Sequence, residues 1–137
     1  RVMADHRLGE LRPDIWMRPA NLAPPPPDAG RMIVSGSLAT EHPGELVGRL
    51  WDLGAIAATA RGLLDELAAR RRTLDWTDPA AIPPIFTTSA TIVRCLRADP
   101  LLPRELLPTR WPLDELRTEY DESERDLQAL LRTFLRG

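Results

Sequence analysis

The side chains that could perform catalysis are few and widely separated. Cys95 is the only cysteine among the 137 residues of the sequence, and His6 and His42 are the only histidines. A nucleophilic thiolate needs a base within hydrogen-bond reach, and neither histidine lies near Cys95 in sequence. The two histidines also lack the short spacing of zinc ligands. The sequence therefore predicts no enzymatic activity, no metal site and no cofactor.

Apolar residues flank Cys95 on both sides. Ile92, Val93 and Leu96 surround it in a stretch with helical periodicity. A free cysteine in such a setting behaves as a small hydrophobic side chain. We therefore predict a buried thiol at this position.

The charges of the chain argue against a freestanding nucleic-acid binder. The net charge is −2, and all 18 basic residues are arginine. Five acidic residues over positions 119–126 are interleaved with Arg117 and Arg125, which is typical of a solvated helix face. These acidic residues are Glu119, Asp121, Glu122, Glu124 and Asp126. Arg70, Arg71 and Arg72 lie in the last turn of a predicted helix, where cations complement the negative end of the helix dipole. A phosphate-binding patch is the alternative interpretation of these three arginines.

Four tryptophans are the other candidates for a function. Each brings a large apolar face and one N–H donor. Trp16, Trp51, Trp76 and Trp111 either join the sheet and helices in the core or, for one or two of them, line a pocket for an aromatic ligand.

Strand and turn signals occupy the first third of the chain. Residues 8–18 predict a β-hairpin, because Pro13 and Asp14 favour a turn between residues that suit a half-buried strand. Four prolines at positions 24–27 predict a polyproline II spacer. Residues 31–38 (RMIVSGSL) predict a third strand.

Helical periodicity dominates the rest of the chain. From residue 46 to residue 67 the spacing of apolar residues alternates between four and three, which indicates one helix face. This face could serve a partner or the core of the chain itself, and residues 52–54 could divide the stretch into two helices. Further helices are predicted over residues 85–98 and 113–136, with room for one short turn between them.

These elements predict an α+β fold, mainly α. A small antiparallel sheet of about three strands would precede a bundle of about four helices. No apolar run approaches the roughly 20 residues that a membrane span requires, and the first residues lack the apolar core of a signal peptide. A cytoplasmic protein with no membrane partner is expected.

Three segments resemble one family of bacterial regulators. Residues 8–22 (LGELRPDIWMRPANL) resemble a hairpin of its central domain, and residues 50–64 (LWDLGAIAATARGLL) resemble one of its helices. Residues 96–116 (LRADPLLPRELLPTRWPLDEL) are similar to its long signature, in which DP, LP, ELLP and WP follow one another. The chain thus resembles the PaaX family of phenylacetate-pathway transcriptional repressors over nearly its whole length.

The resemblance implies a protein of three parts. In the family an N-terminal winged helix binds DNA, a ferredoxin-like central domain follows, and a helical domain comes last. Residues 1–40 would be an incomplete ferredoxin-like domain made of hairpin, proline-rich linker and strand. Residues 41–137 would be the helical C-terminal domain. Operator DNA would be bound only through the winged helix, which we expect to be missing here.

The resemblance further implies an aryl-CoA thioester effector, such as phenylacetyl-CoA. Tryptophan suits its aromatic ring, and arginine suits its phosphates. The candidate effector-binding residues are Arg12, Trp16 and Arg18 on the hairpin, and Arg94, Arg97, Arg110 and Trp111 around the signature. The structural alternative is that prolines fix the path of the signature, leucines fill the core and Trp111 covers it.

Two functions of different classes remain open on this basis. One is the effector-sensing and dimerisation portion of a repressor of aromatic-acid catabolism, acting as a homodimer. The other is a helical scaffold or interaction module without a ligand, such as a truncated regulator. Binding of an aryl-CoA thioester would distinguish them.

Overall fold

The computed structural model describes residues 2–39 and 42–136. Over these residues the fold is mainly α with one small antiparallel sheet, which confirms the predicted class. Its elements in chain order are α1 (Val2–Asp5), β1 (Gly9–Arg12), β2 (Ile15–Met17), α2 (Pro43–Leu50), α3 (Leu53–Thr73), α4 (Ile82–Ala98) and α5 (Pro112–Arg136). Single 3-10 turns lie at Pro79–Ala81 and Arg104–Leu106.

The chain folds into two compact units. The first comprises Arg1–Leu53 and Pro100–Thr109, and the second comprises Gly54–Asp99 and Arg110–Gly137. The chain therefore leaves the second unit after Asp99 and returns to it at Arg110. Helix α2 belongs with the hairpin in this division, and the predicted domain boundary between residues 40 and 41 stays a prediction.

The predicted hairpin forms in the first unit. Strand β1 pairs with β2 in antiparallel register, with Glu10 opposite Trp16 and Arg12 opposite Ile15. Pro13 and Asp14 make the two-residue turn. Asp14 has a φ of 64°, a left-handed conformation that the short polar side chain of Asp tolerates. The turn residues thus act as the sequence predicted.

Gly9 marks the place where the hairpin meets the end of α2. A Cβ atom at this position would lie 2.8 Å from Leu50 Cβ and 3.0 Å from Trp51 Cε2. Only glycine fits such an approach without displacing its neighbours.

The predicted third strand does not form. Residues 31–38 have no strand structure, so that the sheet has two strands and not three within the described ranges. Met32 is 91% exposed and Val34 is 83% exposed. A strand needs a neighbouring strand for its backbone hydrogen bonds, and none of the described residues pairs with this segment. Strand propensity alone was therefore misleading here.

The predicted break between two helices is confirmed. Helix α2 ends at Leu50 and α3 begins at Leu53, with Trp51 in an extended conformation between them. Helix α3 then buries Ala57, Ala60, Leu63 and Leu67. The predicted apolar face over residues 46–67 includes Leu64, but the structure buries the neighbouring Leu63 in its place. Leu64 is only half-buried.

Helices α4 and α5 begin slightly before their predicted starts. Helix α4 starts at Ile82, since Pro83 and Pro84 fit the first turn, where the missing N–H groups cost nothing. Helix α5 starts at Pro112 and buries Leu113 and Leu116 completely. The predicted short turn between the two helices is present at Arg104–Leu106.

A hydrophobic cluster joins the start of α4 to the second half of α5 in the second unit. Ala81, Ile85, Leu127 and Leu130 form its buried centre. Partly buried side chains surround this centre: Leu74, Trp76, Ile82 and Leu131.

Candidate ligand-recognition region

A buried ion pair holds the start of the signature in the second unit. Asp99 follows the last turn of α4, and only 2% of the residue is exposed. Its carboxylate accepts a hydrogen bond from the guanidinium of Arg117 on α5. Arg117 also approaches Asp114 Oδ1 at 3.4 Å. The pair fixes the end of α4 to the first turns of α5, and removal of either partner would leave a charge poorly compensated.

Trp111 lies at the other end of the signature, immediately before α5. It is 6% exposed, and its Nε1–H has no hydrogen-bond partner among the residues that the structure describes. The preceding residue, Arg110, is exposed and has a φ of 58°. The structure thus combines a buried indole donor with an adjacent solvent-facing guanidinium.

The middle of the signature is attached to the hairpin region within the first unit. Asn21 Nδ2 donates to the carbonyl oxygen of Leu101 at 2.8 Å. Leu101 has a φ of 52°, a left-handed conformation that is unfavourable for a side chain of this kind. The hydrogen bond therefore helps to hold a strained backbone.

The three candidate residues of the hairpin have different environments. Arg12 on β1 is exposed, whereas Trp16 on β2 is half-buried. Arg18 donates from Nη1 to the carbonyl oxygen of His6 at 3.1 Å and from Nη2 to that of Ala23. The guanidinium of Arg18 thus supports the local chain path, which leaves fewer of its donors for a ligand.

The remaining four candidates belong to the second unit. Arg94 and Arg97 are exposed on α4, and Arg110 is exposed before α5. Trp111 is the only one of the seven candidate residues that is buried. Their role in effector binding stays a prediction.

The arginines at the end of α3 form ion pairs. Arg70 donates to Glu66 Oε1 at 2.8 Å, one helical turn earlier. Arg71 lies 2.8 Å from Glu119 and 3.3 Å from Glu122, both on α5. Part of the acidic face of α5 is therefore neutralised by α3, although periodicity alone suggested that the whole face was solvated.

Glu66 also joins α3 to α4. The buried hydroxyl of Thr88 donates to Glu66 Oε1 at 2.9 Å. The hydrogen bond from Arg70, and secondarily that from Thr88, hold the pKa of Glu66 below its ordinary value of 4.5. The carboxylate therefore stays ionised and keeps both contacts at neutral pH.

The environment of Cys95 suits a structural thiol. The residue is 7% exposed, as predicted from its apolar neighbours. Burial, and secondarily the negative charge of Asp99, raise the pKa of the Cys95 thiol above its ordinary 9.0. A thiolate nucleophile needs the opposite shift. In addition, the described part of the chain has no grouping of three or more side chains that could hold a metal ion.

Sequence reasoning did not select Asp99, Arg117 or Asn21. Asp99 lies one residue beyond the helix that the sequence predicts over residues 85–98, and Arg117 belongs to the face predicted to be solvated. Only the meeting of α4 with α5 shows that the two are partners. Asn21 and Leu101 both lie within segments quoted for the family resemblance, which was the available signal.

Helices long and apolar enough to cross a membrane do not occur over residues 2–39 and 42–136.

Comparisons with known proteins point to one family. The sequence model of the family described as PaaX-like protein C-terminal domain matches residues 51–137, which include α3, α4, α5 and the whole signature. The solved structure of the uncharacterized protein Rv0674 from Mycobacterium tuberculosis is 34% identical in sequence, with a TM-score of 0.73. The match covers 95% of this chain and 54% of that one, so the chain spans about half the length of that protein. No curated protein matches the chain.

Proposed function

Since this chain belongs to the PaaX-like protein family, we propose that it is the effector-sensing and dimerisation portion of a bacterial transcriptional regulator. The regulator represses genes of aromatic-acid catabolism, as the phenylacetate-pathway repressors that the sequence resembles do. Operator DNA is bound by a winged helix outside this chain, and the protein works in the cytoplasm as a homodimer.

The match to the C-terminal family domain carries this proposal. It spans residues 51–137 and so contains α3, α4, α5 and the signature, including Asp99 and Trp111. The net charge of −2 supports a role other than direct DNA binding for this portion. The burial of the Cys95 thiol and its raised pKa disfavour a thiolate nucleophile at this position.

The proposed effector is an aryl-CoA thioester, with phenylacetyl-CoA as the first member to test. Its phosphates require cationic donors, and exposed arginines offer them, either Arg12 on the hairpin or Arg94 and Arg110 in the second unit. Its aromatic ring requires an apolar partner, which Trp16 or Trp111 would supply.

The test is a titration of the 137-residue chain with phenylacetyl-CoA, followed by tryptophan fluorescence and by the melting temperature. A ligand at about 100 times its dissociation constant stabilises the folded state by roughly 2.7 kcal/mol. For a chain of this size we expect the melting temperature to rise by several degrees. Saturable quenching together with this rise would support the proposal.

Free CoA and benzoyl-CoA are the controls for this titration. Free CoA tests the contribution of the phosphates and adenine alone, and benzoyl-CoA tests the length of the acyl group. A folded chain whose fluorescence and melting temperature respond to none of the three compounds would contradict effector sensing and favour the helical scaffold. Analytical ultracentrifugation of the same samples tests the homodimer, which a purely monomeric chain would exclude.

A further inference from the structure

The indole N–H of Trp111 is a buried hydrogen-bond donor without an acceptor among the described residues. Only 6% of the residue is exposed, so bulk water does not readily reach this group. Buried donors are paired in the great majority of folded proteins, because an unpaired one forfeits the hydrogen bond it had with water. An exception therefore requires an explanation at its own site.

The position of Trp111 connects this donor to the family signature. The residue precedes α5 and is followed by Pro112 and Leu113, both buried. Arg110 beside it adopts a left-handed backbone conformation with a φ of 58°, which is uncommon for a residue other than glycine. Strained backbone of this kind often accompanies ligand contacts.

The surroundings of the donor favour a neutral acceptor over a phosphate. Because the donor is buried, transfer of a phosphate to it would be costly without several compensating charges. Asp114 and Glu115 in the first turn of α5 add negative charge at this helix end and offset the attraction of the helix dipole for an anion. A carbonyl oxygen next to an apolar group satisfies both conditions.

We propose that Trp111 Nε1–H donates a hydrogen bond to the acyl carbonyl oxygen of the effector and thereby distinguishes a thioester from other CoA derivatives. This inference rests on the proposed effector-sensing function. Trp111 is accordingly a specificity residue for the carbonyl group, in addition to any contact that its ring makes with the aromatic group.

The test compares two ligands on two proteins. One ligand is phenylacetyl-CoA, and the other is S-(2-phenylethyl)-CoA, in which a methylene replaces the carbonyl group. The unsubstituted chain is expected to prefer the thioester by roughly 5- to 10-fold in dissociation constant, the usual net effect of one hydrogen bond. Trp111→Phe removes the donor, so this variant should bind the two ligands with about equal dissociation constants. Any loss of packing weakens the binding of both ligands, so the ratio of their dissociation constants isolates the hydrogen bond.

An NMR measurement keeps the proposal testable if Trp111→Phe does not fold. The indole N–H signal of Trp111 is assigned by elimination, using Trp16→Phe, Trp51→Phe and Trp76→Phe. Phenylacetyl-CoA should move this signal downfield, and S-(2-phenylethyl)-CoA should not.

The outcomes separate this inference from the proposed function. Binding of phenylacetyl-CoA with an unchanged thioester preference in Trp111→Phe, or with an unmoved Trp111 signal, overturns the inference and leaves effector sensing standing. Binding of neither ligand to the unsubstituted chain overturns both.

Discussion

The amide of Asn21 donates a hydrogen bond to the carbonyl oxygen of Leu101 across 80 positions of sequence, with a distance of 2.8 Å. The two residues belong to different segments that carry the family resemblance, the hairpin segment and the signature. Leu101 has a left-handed backbone with a φ of 52°, a conformation that a neighbouring interaction must stabilise. The side chain of Asn21 is therefore part of what fixes the path of the signature in the first unit.

Asn21→Asp tests this relationship by removing the donor while keeping the shape of the side chain. The carboxylate would face a carbonyl oxygen, and we expect the free energy of unfolding to fall by about 0.5–1.5 kcal/mol, as for one lost hydrogen bond. Urea denaturation followed by circular dichroism measures this change. An unchanged unfolding midpoint would mean that the hydrogen bond does not stabilise the unit.

Gly9→Ala should destabilise the first unit through overpacking. The added Cβ would lie 2.8 Å from Leu50 Cβ and 3.0 Å from the Leu50 carbonyl oxygen, so that backbone must shift. We expect a loss of about 1–3 kcal/mol in the free energy of unfolding.

Gly48→Ala is the matched control for Gly9→Ala. Gly48 is exposed within α2, and a Cβ atom there meets nothing within 4 Å. Alanine is the better helix former by about 1 kcal/mol, so this variant should be more stable than the parent chain. Thermal melts should show a lower melting temperature for Gly9→Ala and a higher one for Gly48→Ala. Equal shifts in one direction would contradict the packing of Gly9 against the end of α2.

Asp99→Asn breaks the buried ion pair with Arg117. Because Arg117 is 36% exposed, water can partly solvate the released guanidinium, and we expect a loss of roughly 1–3 kcal/mol. The second partner of Arg117 is Asp114, whose side chain is 61% exposed. Asp114→Asn should therefore lower the free energy of unfolding by less than about 0.5 kcal/mol. Chemical denaturation of both variants compares the two losses. Equal losses would show that burial of Asp99 does not strengthen its pairing.

Arg71→Met tests the contacts between the end of α3 and the acidic face of α5. Arg71 contacts Glu119, Glu122 and Asp126, so its removal leaves neighbouring carboxylates without their cation. All four side chains are partly exposed, and we expect a loss of about 1 kcal/mol that shrinks as salt screens the repulsion. Arg72→Met, an exposed position in the same turn, is the control and should change stability little. A loss that is independent of salt would contradict an electrostatic role.

Alkaline pH should destabilise the second unit. Burial raises the pKa of Cys95 above its ordinary 9.0 and that of Tyr120 above its ordinary 10.0. The folded chain therefore keeps protons that the unfolded chain has lost, and this stabilisation is complete below about pH 9 and is lost as the pH rises through the folded pKa values. Urea midpoints measured from about pH 8 to about pH 10.5 should fall progressively. The Cys95→Ala, Tyr120→Phe double variant should show a shallower decline, and an equally steep one would contradict this origin.

Most of the secondary structure could be predicted from local sequence. The spacing of apolar residues predicted α3 and α5, and the Pro13–Asp14 turn predicted the hairpin, because both signals act between residues close in the chain. The break near residue 52 was predictable for the same reason. Apolar flanks likewise predicted the burial of Cys95.

The chain by itself thus determined its helices, its hairpin and, through three patterned segments, its family. Tertiary structure alone decided which polar groups meet: Asn21 with Leu101, and Asp99 with Arg117. It also decided that residues 31–38 form no strand and that the Trp111 indole is buried without an acceptor in the described part of the chain. Periodicity reports which face of an element is apolar, whereas pairing depends on the packing of elements distant in sequence, which local patterns do not encode.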